Sequence, residues 1–354
     1  MGLDLGDRRS TYCLLDANGK TVIEEAVATS REGFEALSKR YPGAVVAMET
    51  GTHSPWVSRL FEAHHHKVYV ANARKLRAIS TSNTKSDLED ARLLARLARV
   101  DPTLLSPVKH RSEAGQRAII QLKVREALVR SRVNLMNSAR FLLKSLGLPM
   151  PSGVKASSFV KKVRAVLDTP TCALIEPLLK MLESINERID GCDQQLEKLA
   201  AEQYPHSVRL RQVPGVGPLT ALCFVATLET PDRFKHARDV GAYLGLVPRR
   251  DQSGNTDKQL SITKAGNTAL RCLLVNCAHY IMGPFGPPSD LRAAGLKFCE
   301  RGGKSAKKRA VIAVARKLAI LLFALWKSGA DYRPCSTNSP FPWSCPGNCD
   351  LAPA

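Results

Sequence analysis

The first 107 residues alternate between strand and helix patterns, and this alternation limits the possible folds more than any other feature of the chain. Five short apolar segments are predicted strands: GLDLG, STYCLLDANGK, TVIEEAVAT, GAVVAME and HKVYVAN. Helical patterns follow the third, fourth and fifth of them. The Asn18–Gly19 pair near the end of the second segment is a strong hairpin signal. The order βββαβαβα predicts an α/β unit in which helices cover a mixed sheet.

Two long helical patterns come after this unit. The first, residues 112–146, carries several cations, among them Arg130, and ends at the sequence GLPMPSG. The second, residues 172–202, contains Pro177, which leaves the start of the regular helix open between Cys172 and that proline. Its apolar residues alternate in steps of three and four, as in a coiled-coil seam: Ile175, Leu178, Leu182, Ile185, Ile189, Cys192, Leu196 and Leu199. This seam fits a hairpin with the first long helix, and it equally fits a dimer contact or an arm for nucleic acid.

The charge balance indicates a polyanionic partner. The chain has 354 residues and a formal net charge of +20, and 44% of the residues are hydrophobic, enough for two or three domains with cores. A basic excess of this size predicts binding to nucleic acid, and an anionic membrane is the weaker candidate. The most apolar segment, residues 311–326, contains Arg316 and Lys317 and is short for a membrane span. Ten cysteines in so long a chain do not form a disulfide scaffold.

Four carboxylates of the first unit form the most informative pattern. Asp4 lies inside an apolar strand, Glu49 ends another strand, and Asp87 and Asp90 are three residues apart on one helix face. Any one of these acids could be a helix cap, a partner of the helix dipole or a surface group. If the two strands are neighbours and the helix packs across their ends, all four would converge on a cation. Ligands that are all oxygen suit Mg²⁺ or Mn²⁺, and a pair of such ions is a nuclease arrangement.

A second motif lies near residue 215, in the sequence VPGVGPLTA. A turn with Gly215 and Gly217 before an apolar helix can direct backbone N–H groups at a phosphate, as in a helix-hairpin-helix motif. The alternative is an ordinary glycine turn between two helices.

A third motif surrounds Ser253, which is predicted on a polar turn next to Gly254. A serine hydroxyl can attack a phosphodiester where cations hold the phosphate. The alternative is a hairpin turn whose serine bonds its own backbone. The basic residues that we expect to contact nucleic acid here and in the long helices are Arg249, Arg250, Lys258, Lys264, Arg271, Arg130, Lys307 and Lys308.

These segments, in this order, resemble the DEDD-type transposases of bacterial insertion sequences. The segments are GLDLG, AMETG, KSDLEDARLLA, PGVGPLTA and SGNTDKQLSITKAGNTALR, and the resemblance extends to about residue 330. The family includes relatives of the Piv DNA invertase and recombinases guided by a bridge RNA. In two places the chain departs from the family: the first strand lacks the few residues that usually precede it, and the tail from Pro334 has no counterpart.

The resemblance implies a fold and a set of domains. It implies an RNase H-like (RuvC-like) α/β domain over residues 1–107 and a helical coiled-coil region over 108–206. A mostly α-helical transposase domain with a helix-hairpin-helix-like motif is implied over 207–330. Residues 331–354, rich in Pro, Ser and Asn, are expected to be a disordered tail.

The resemblance also implies a chemistry and partners. Asp4, Glu49, Asp87 and Asp90 correspond to the metal-binding tetrad, and Ser253 matches the nucleophile better than the alternative, Ser261. The implied cofactor is Mg²⁺ or Mn²⁺. The implied partners are the DNA of the element ends and of the target, a guide RNA, and further copies of the chain in a homodimer or homotetramer. A cytoplasmic protein associated with the bacterial nucleoid, and not with a membrane, is expected.

Two other functions remain open at this point. A RuvC-like, structure-specific endonuclease would use metal-activated water and form no covalent intermediate, so trapping a protein–DNA adduct would exclude it. A basic nucleic-acid-binding protein that has lost the activity of a transposase is the second alternative, and the intact acids argue against it.

Overall fold

A computed structural model describes residues 1–76, 86–148, 153–254, 256–300 and 302–334 of the chain. The chain forms two compact units, Met1–Ser112 and a second one that begins at Glu113. None of the helices in these described ranges combines the length and the apolar character that crossing a membrane requires. The seven cysteines within the described ranges are free thiols.

A five-stranded mixed sheet forms the centre of the first unit. The strands are β1 (Gly2–Asp4), β2 (Arg9–Leu15), β3 (Thr21–Ala28), β4 (Val46–Glu49) and β5 (Val68–Ala71). They are arranged in the order β3-β2-β1-β4-β5. β2 is antiparallel to its neighbours β1 and β3, whereas β4 runs parallel to both β1 and β5. The predicted mixed sheet is confirmed, and this arrangement is RNase H-like.

Helices cover both faces of this sheet. They are α1 (Arg31–Arg40), α2 (Ser54–Ala63), the short α3 (Ala73–Leu76) and α4 (Asp87–Val100), and a 3-10 turn follows at Pro102–Leu105. Two of them begin at a serine cap, because Ser30 accepts from the Gly33 N–H at 3.1 Å and Ser86 from the Glu89 N–H at 3.2 Å. The sequence therefore specifies where α1 and α4 begin as well as which of their sides are apolar.

Alternating side chains of the central strands supply two separate cores. Leu3 and Met48 are buried with residues of α1 and α2, such as Phe34 and Phe61. On the opposite face, Ala47 is buried with residues of α4 such as Leu94. The face that contacts α4 is lined by small residues, so this helix lies close to the sheet.

The second unit is mostly helical, as predicted. Its helices are α5 (Glu113–Ser145), α6 (Phe159–Val166), α7 (Thr169–Gln203), α8 (Pro205–Leu210), α9 (Pro218–Leu228), α10 (Arg238–Tyr243), α11 (Thr268–Met282), α12 (Asp290–Glu300) and α13 (Ala306–Ser328), with 3-10 turns at Ala156–Ser158 and Pro231–Arg233. A two-stranded antiparallel hairpin, β6 (Pro248–Ser253) and β7 (Thr256–Ile262), accompanies them. A core formed by residues of α9, α11 and α13 contains Phe224, Leu274 and Phe323.

The two long helices pack against each other within one chain. α7 begins at Thr169 and continues through Pro177, earlier than the sequence led us to expect. Asp168 caps it, accepting a hydrogen bond from the Thr171 N–H at 3.3 Å, so the start is fixed by this cap and not by the proline. Five of the eight predicted seam residues are buried: Ile175, Leu182, Ile185, Ile189 and Leu196. Of the arrangements that the seam fits, the structure therefore contains the hairpin of α5 and α7 within one chain.

The beginning of the predicted tail differs from the expectation. Tyr332 donates its backbone N–H to the Gln212 side chain at 2.9 Å, and Pro334 accepts a bond from the Asp290 N–H at 3.1 Å. Residues 331–334 are thus bonded to the helical unit, because α12 and the segment after α8 offer polar partners. The rest of the predicted tail, 335–354, lies outside the described residues.

Candidate functional site

Two neighbouring parallel strands carry Asp4 and Glu49 at their carboxyl ends. The register pairs Gly2 with Ala47 and Leu3 with Met48, so Asp4 and Glu49 occupy the next positions along β1 and β4. Adjacent strands lie about 4.8 Å apart. The two strands are therefore neighbours, which is the condition that the sequence analysis set for the acids to converge.

The pleat of the sheet turns both acids toward the helix α4. Side chains alternate between the faces of a sheet, so the face opposite Leu3 and Met48 is the one that carries Asp4 and Glu49. The core on that face contains Ala47 together with α4 residues. Both carboxylates are half-buried at this edge.

Helix α4 runs antiparallel to β1, as three contacts along its length indicate. Near its carboxyl end, the Arg99 side chain donates to the Ala17 carbonyl at 3.0 Å, at the β2–β3 turn. In its middle, Ala91 and Ala95 lie against Gly2 of β1. The β2–β3 turn is beyond the amino end of β1, so the first turn of α4 lies toward the carboxyl end of β1.

The first turn of α4 carries three acids, of which one has a cationic partner. Arg92 bonds the Glu89 carboxylate three residues earlier on the same helix. The same guanidinium donates to both carboxylate oxygens of Glu24 on β3, at 2.6 and 2.7 Å. This hydrogen bonding by Arg92 lowers the pKa of the Glu24 carboxyl. No ion pair to Asp87 or Asp90 is formed within the described ranges.

The three acids in the first turn of α4 thus fall into two groups. Glu89 is neutralised by Arg92, and this arginine also fastens α4 to the edge strand β3. Asp87 and Asp90 share a helix turn without such a partner among the described residues, and like charges at this spacing repel. Arg92 was not singled out from the sequence, although its position three residues after Glu89 is a recognisable ion-pair signal.

The four acids offer a donor set that fits a divalent cation. All the donors are carboxylate oxygens, which Mg²⁺ and Mn²⁺ prefer. Within the part of the chain that the structure describes, however, no three acidic, histidine or cysteine side chains are gathered closely enough to hold a metal ion. The backbone thus brings β1, β4 and the first turn of α4 to one edge of the sheet, and the carboxylates there are not gathered into a preassembled cluster.

Ser253 ends β6 at the tip of the exposed hairpin. It pairs with Thr256 across the turn, and Gly254 after it has a φ of +54°, a backbone conformation that favours glycine. Ser253 is an exposed residue. The alternative, Ser261, lies on β7 and accepts a hydrogen bond from Arg249 at 3.4 Å.

The predicted nucleic-acid contacts separate into exposed and buried groups. The exposed ones are Arg130, Arg249, Arg250, Lys258, Lys264, Lys307 and Lys308. Arg250 is held by both carboxylate oxygens of Asp257, at 2.8 and 2.5 Å, which raises the pKa of its guanidinium.

Arg271, which we predicted to contact nucleic acid, is buried. Only 7% of it is exposed, and its guanidinium donates to the carbonyls of Leu244 and Ala265 and to the Thr268 hydroxyl, at 3.0, 2.6 and 3.1 Å. Its guanidinium is directed inward because these three groups accept its hydrogen bonds. We therefore do not retain Arg271 as a nucleic-acid contact.

The glycine motif forms the turn between α8 and α9. Gly215 has a φ of +85°, and a Cβ there would lie 2.8 Å from the Tyr280 ring of α11. This glycine is required both by the turn and by close packing. Gly217 precedes α9 with open space around it and no side-chain cap on the helix. The helix–turn–helix order is present, and phosphate binding by this turn stays a prediction.

Comparison with protein families gives two matches, one over the first unit and the start of the second, and one within the second unit. A model described as a transposase, of the DEDD type of IS110, matches residues 1–147. A model described as the transposase IS116/IS110/IS902 family matches residues 207–290.

Individual proteins resemble the chain over most of its length. The transposase for insertion sequence element IS1111A of Coxiella burnetii is 29% identical, over 94% of this chain and 91% of that protein. The transposase for insertion sequence element IS1328 of Yersinia enterocolitica is 28% identical, over 80% and 83%. The pilin gene-inverting protein of Moraxella bovis is 28% identical, over 80% of each chain.

Proposed function

The chain belongs to the IS110/IS116 family of DEDD transposases and is a DNA recombination enzyme, and from this premise we propose how it exchanges DNA strands. In our proposal, Asp4, Glu49, Asp87 and Asp90 hold Mg²⁺ or Mn²⁺, and Ser253 forms a transient covalent link to DNA. The proposed metal site is supported by one observation: β1, β4 and the first turn of α4 meet at a common edge of the sheet. A divalent ion bound there would stabilise charge that develops on phosphate oxygens.

The four acids have distinct tasks in this proposal. Asp4 and Glu49 extend from the rigid centre of the sheet and define where the phosphate lies. Asp87 and Asp90 extend from a helix end, and their repulsion keeps them from forming a closed site until a cation is present. Arg92 keeps α4 in place through Glu24 and removes Glu89 from competition for the cation.

The serine step is a phosphoryl transfer that balances without another reactant. The Ser253 oxygen forms a bond to phosphorus, one backbone P–O bond breaks, and the departing sugar hydroxyl takes up the proton that the serine loses. A hydroxyl of a different strand then attacks the phosphoserine, which joins the new strand and restores the serine. The exposed cations Arg249 and Lys258 lie on the same hairpin and would hold the phosphate.

The exposed basic surface and the family support a proposal for the partners of the reaction. We propose that the DNA of element and target is selected by a structured guide RNA. In this proposal the α5–α7 region, with Arg130 exposed, and the basic start of α13, with Lys307 and Lys308, hold nucleic acid. Assembly as a homodimer or homotetramer, and the division of the chain at residues 107, 206 and 330, are parts of the same proposal.

The metal site can be tested apart from the reaction. Asp87→Asn and Asp90→Asn should melt at or above the temperature of the wild type in EDTA, because the substitution removes a like-charge repulsion. Mn²⁺ should raise the melting temperature of the wild type but not of either variant, and both variants should lose strand exchange. A wild type whose melting ignores Mn²⁺, together with active variants, would show that these acids do not bind the metal.

A further inference from the structure

The loop between α11 and α12 exposes one aromatic side chain almost completely. Its sequence, GPFGPPS, covers residues 283–289, and Phe285 at its centre is 85% exposed, the highest value among the large hydrophobic residues of the described ranges. Single exposed apolar residues are common on protein surfaces and need no explanation. What distinguishes this one is the backbone that carries it.

The backbone of the loop is fixed against the end of α11. Arg292 of α12 donates to the Ile281 carbonyl at 2.8 Å and also to the Gly283 carbonyl. A Cβ on Gly286 would lie 2.2 Å from the Ile281 carbonyl oxygen, so this part of the loop is pressed onto the helix. Prolines stand on both sides of Phe285 and restrict φ. The aromatic ring is therefore held outward by a rigid support and loses little backbone freedom on binding.

The surroundings of this loop indicate what the ring contacts. Gly215, in the turn between α8 and α9, packs directly on the Tyr280 ring of α11, and Tyr280 itself is 46% exposed. The loop begins three residues after Tyr280, and its Gly283 N–H donates to the Tyr280 carbonyl at 3.1 Å. The loop that carries Phe285 and the turn over residues 213–218, for which we predict phosphate contacts, therefore both adjoin the carboxyl end of α11, on a chain with a net charge of +20.

We infer that Phe285 stacks on an unpaired DNA base beside the backbone contacted by the 213–218 turn. Every base has a flat π-face, so an aromatic ring next to a phosphate-binding segment is a typical single-strand site. Strand exchange requires base pairs to open, and a fixed ring that covers the exposed base lowers the cost of opening. The inference relies on action on DNA, but it relies neither on the metal site nor on Ser253.

A binding measurement with a matched pair of DNA duplexes tests this inference. The full-length protein is titrated, in EDTA, into a duplex with one unpaired 2-aminopurine and into the fully paired duplex of the same sequence. The wild type should prefer the unpaired base and quench its fluorescence. Phe285→Ala should weaken binding to the unpaired duplex about 5- to 150-fold and leave the paired duplex unchanged, since stacking contributes roughly 1–3 kcal/mol per base.

Three controls make the outcome decisive. Phe285→Trp should retain the preference because the indole also stacks. Val22→Ala, which shortens an apolar side chain that is 59% exposed on the edge strand β3, should bind as the wild type does. Equal melting temperatures of Phe285→Ala and wild type verify the fold. The inference is wrong if Phe285→Ala keeps the preference, loses affinity for both duplexes alike, or instead changes the oligomeric state. A wild type that binds both duplexes with equal affinity would also contradict the inference, and this result would leave the proposals for the metal site and Ser253 untouched.

Discussion

Replacing Gly2 with alanine should separate the two elements that carry the proposed metal ligands. Gly2 lies where α4 crosses β1, and a Cβ at this position would be 2.1 Å from the Ala91 carbonyl oxygen and 2.4 Å from the Ala95 nitrogen. Both are backbone atoms, so no side-chain rotation can relieve the clash. The helix must move away from the sheet, and Asp87 and Asp90 in its first turn must move with it.

The size of the effect follows from the cost of inserting a methyl group into packed structure, about 1–3 kcal/mol. For a unit of about 112 residues, 1 kcal/mol corresponds to about 4 °C in melting temperature, so the transition of this unit should fall by roughly 4–12 °C. Metal-dependent stabilisation should weaken further, because displacement of α4 separates ligands on the helix from those on the strands.

Gly51→Ala is the matched control. It adds the same methyl group two residues after Glu49, at a position where a Cβ would lie more than 4 Å from the described residues beyond its two chain neighbours. Thermal melts of both variants, with and without Mn²⁺, give the comparison. The reasoning is refuted if Gly2→Ala melts as Gly51→Ala does and keeps the full response to Mn²⁺, since α4 would then not be seated against Gly2.

Three further predictions follow from single contacts. Arg92 lowers the pKa of Glu24 below its unfolded value of about 4.5, so the stability from this pair is present above that pH and is lost as the pH falls through the folded pKa. The difference in melting temperature between wild type and Glu24→Gln should therefore shrink as the pH is lowered below 4.5, and a constant difference would contradict this reasoning. Arg130→Ala should reduce the slope of log affinity for DNA against log salt concentration by about one phosphate contact. Arg271→Ala should lower the melting temperature and leave this slope unchanged, because Arg271 is buried. A reduced slope for Arg271→Ala would show that Arg271 contacts DNA. Ser253→Ala should abolish strand exchange while nucleic-acid affinity stays nearly the same, and Ser261→Ala should have a mild effect; normal exchange by Ser253→Ala would favour a nuclease that uses water.

The first unit could be predicted well because its signals are local. Apolar strand segments, the Asn18–Gly19 turn and the serine caps each act over a few residues, and together they specify the element order. The strands of Asp4 and Glu49 are neighbours in the sheet, as convergence of the acids on a cation would require. The direction of α4 could not be predicted, because it depends on contacts such as Arg99 with Ala17, far apart in the sequence.

The second unit was less predictable because its basic residues look alike in the sequence. Arg249, Arg250 and Arg271 belong to one basic stretch, yet one is exposed, one is held by Asp257, and one is buried among carbonyl groups. Burial of an arginine depends on acceptors supplied by distant segments, here Leu244 for Arg271. Likewise, the seam of α7 specified a helical partner but could not distinguish α5 of the same chain from a second copy.

The central claim is that Ser253 becomes covalently joined to DNA during strand exchange. The most direct measurement incubates the full-length protein with element DNA, its RNA and Mg²⁺, denatures the mixture, and identifies by mass spectrometry the peptide that carries a nucleotide. The account predicts one modified peptide with the phosphoester on Ser253, which disappears in Ser253→Ala and depends on Asp87 and Asp90. Exchange that proceeds with no protein-linked nucleotide, or a nucleotide on Ser261, would contradict it.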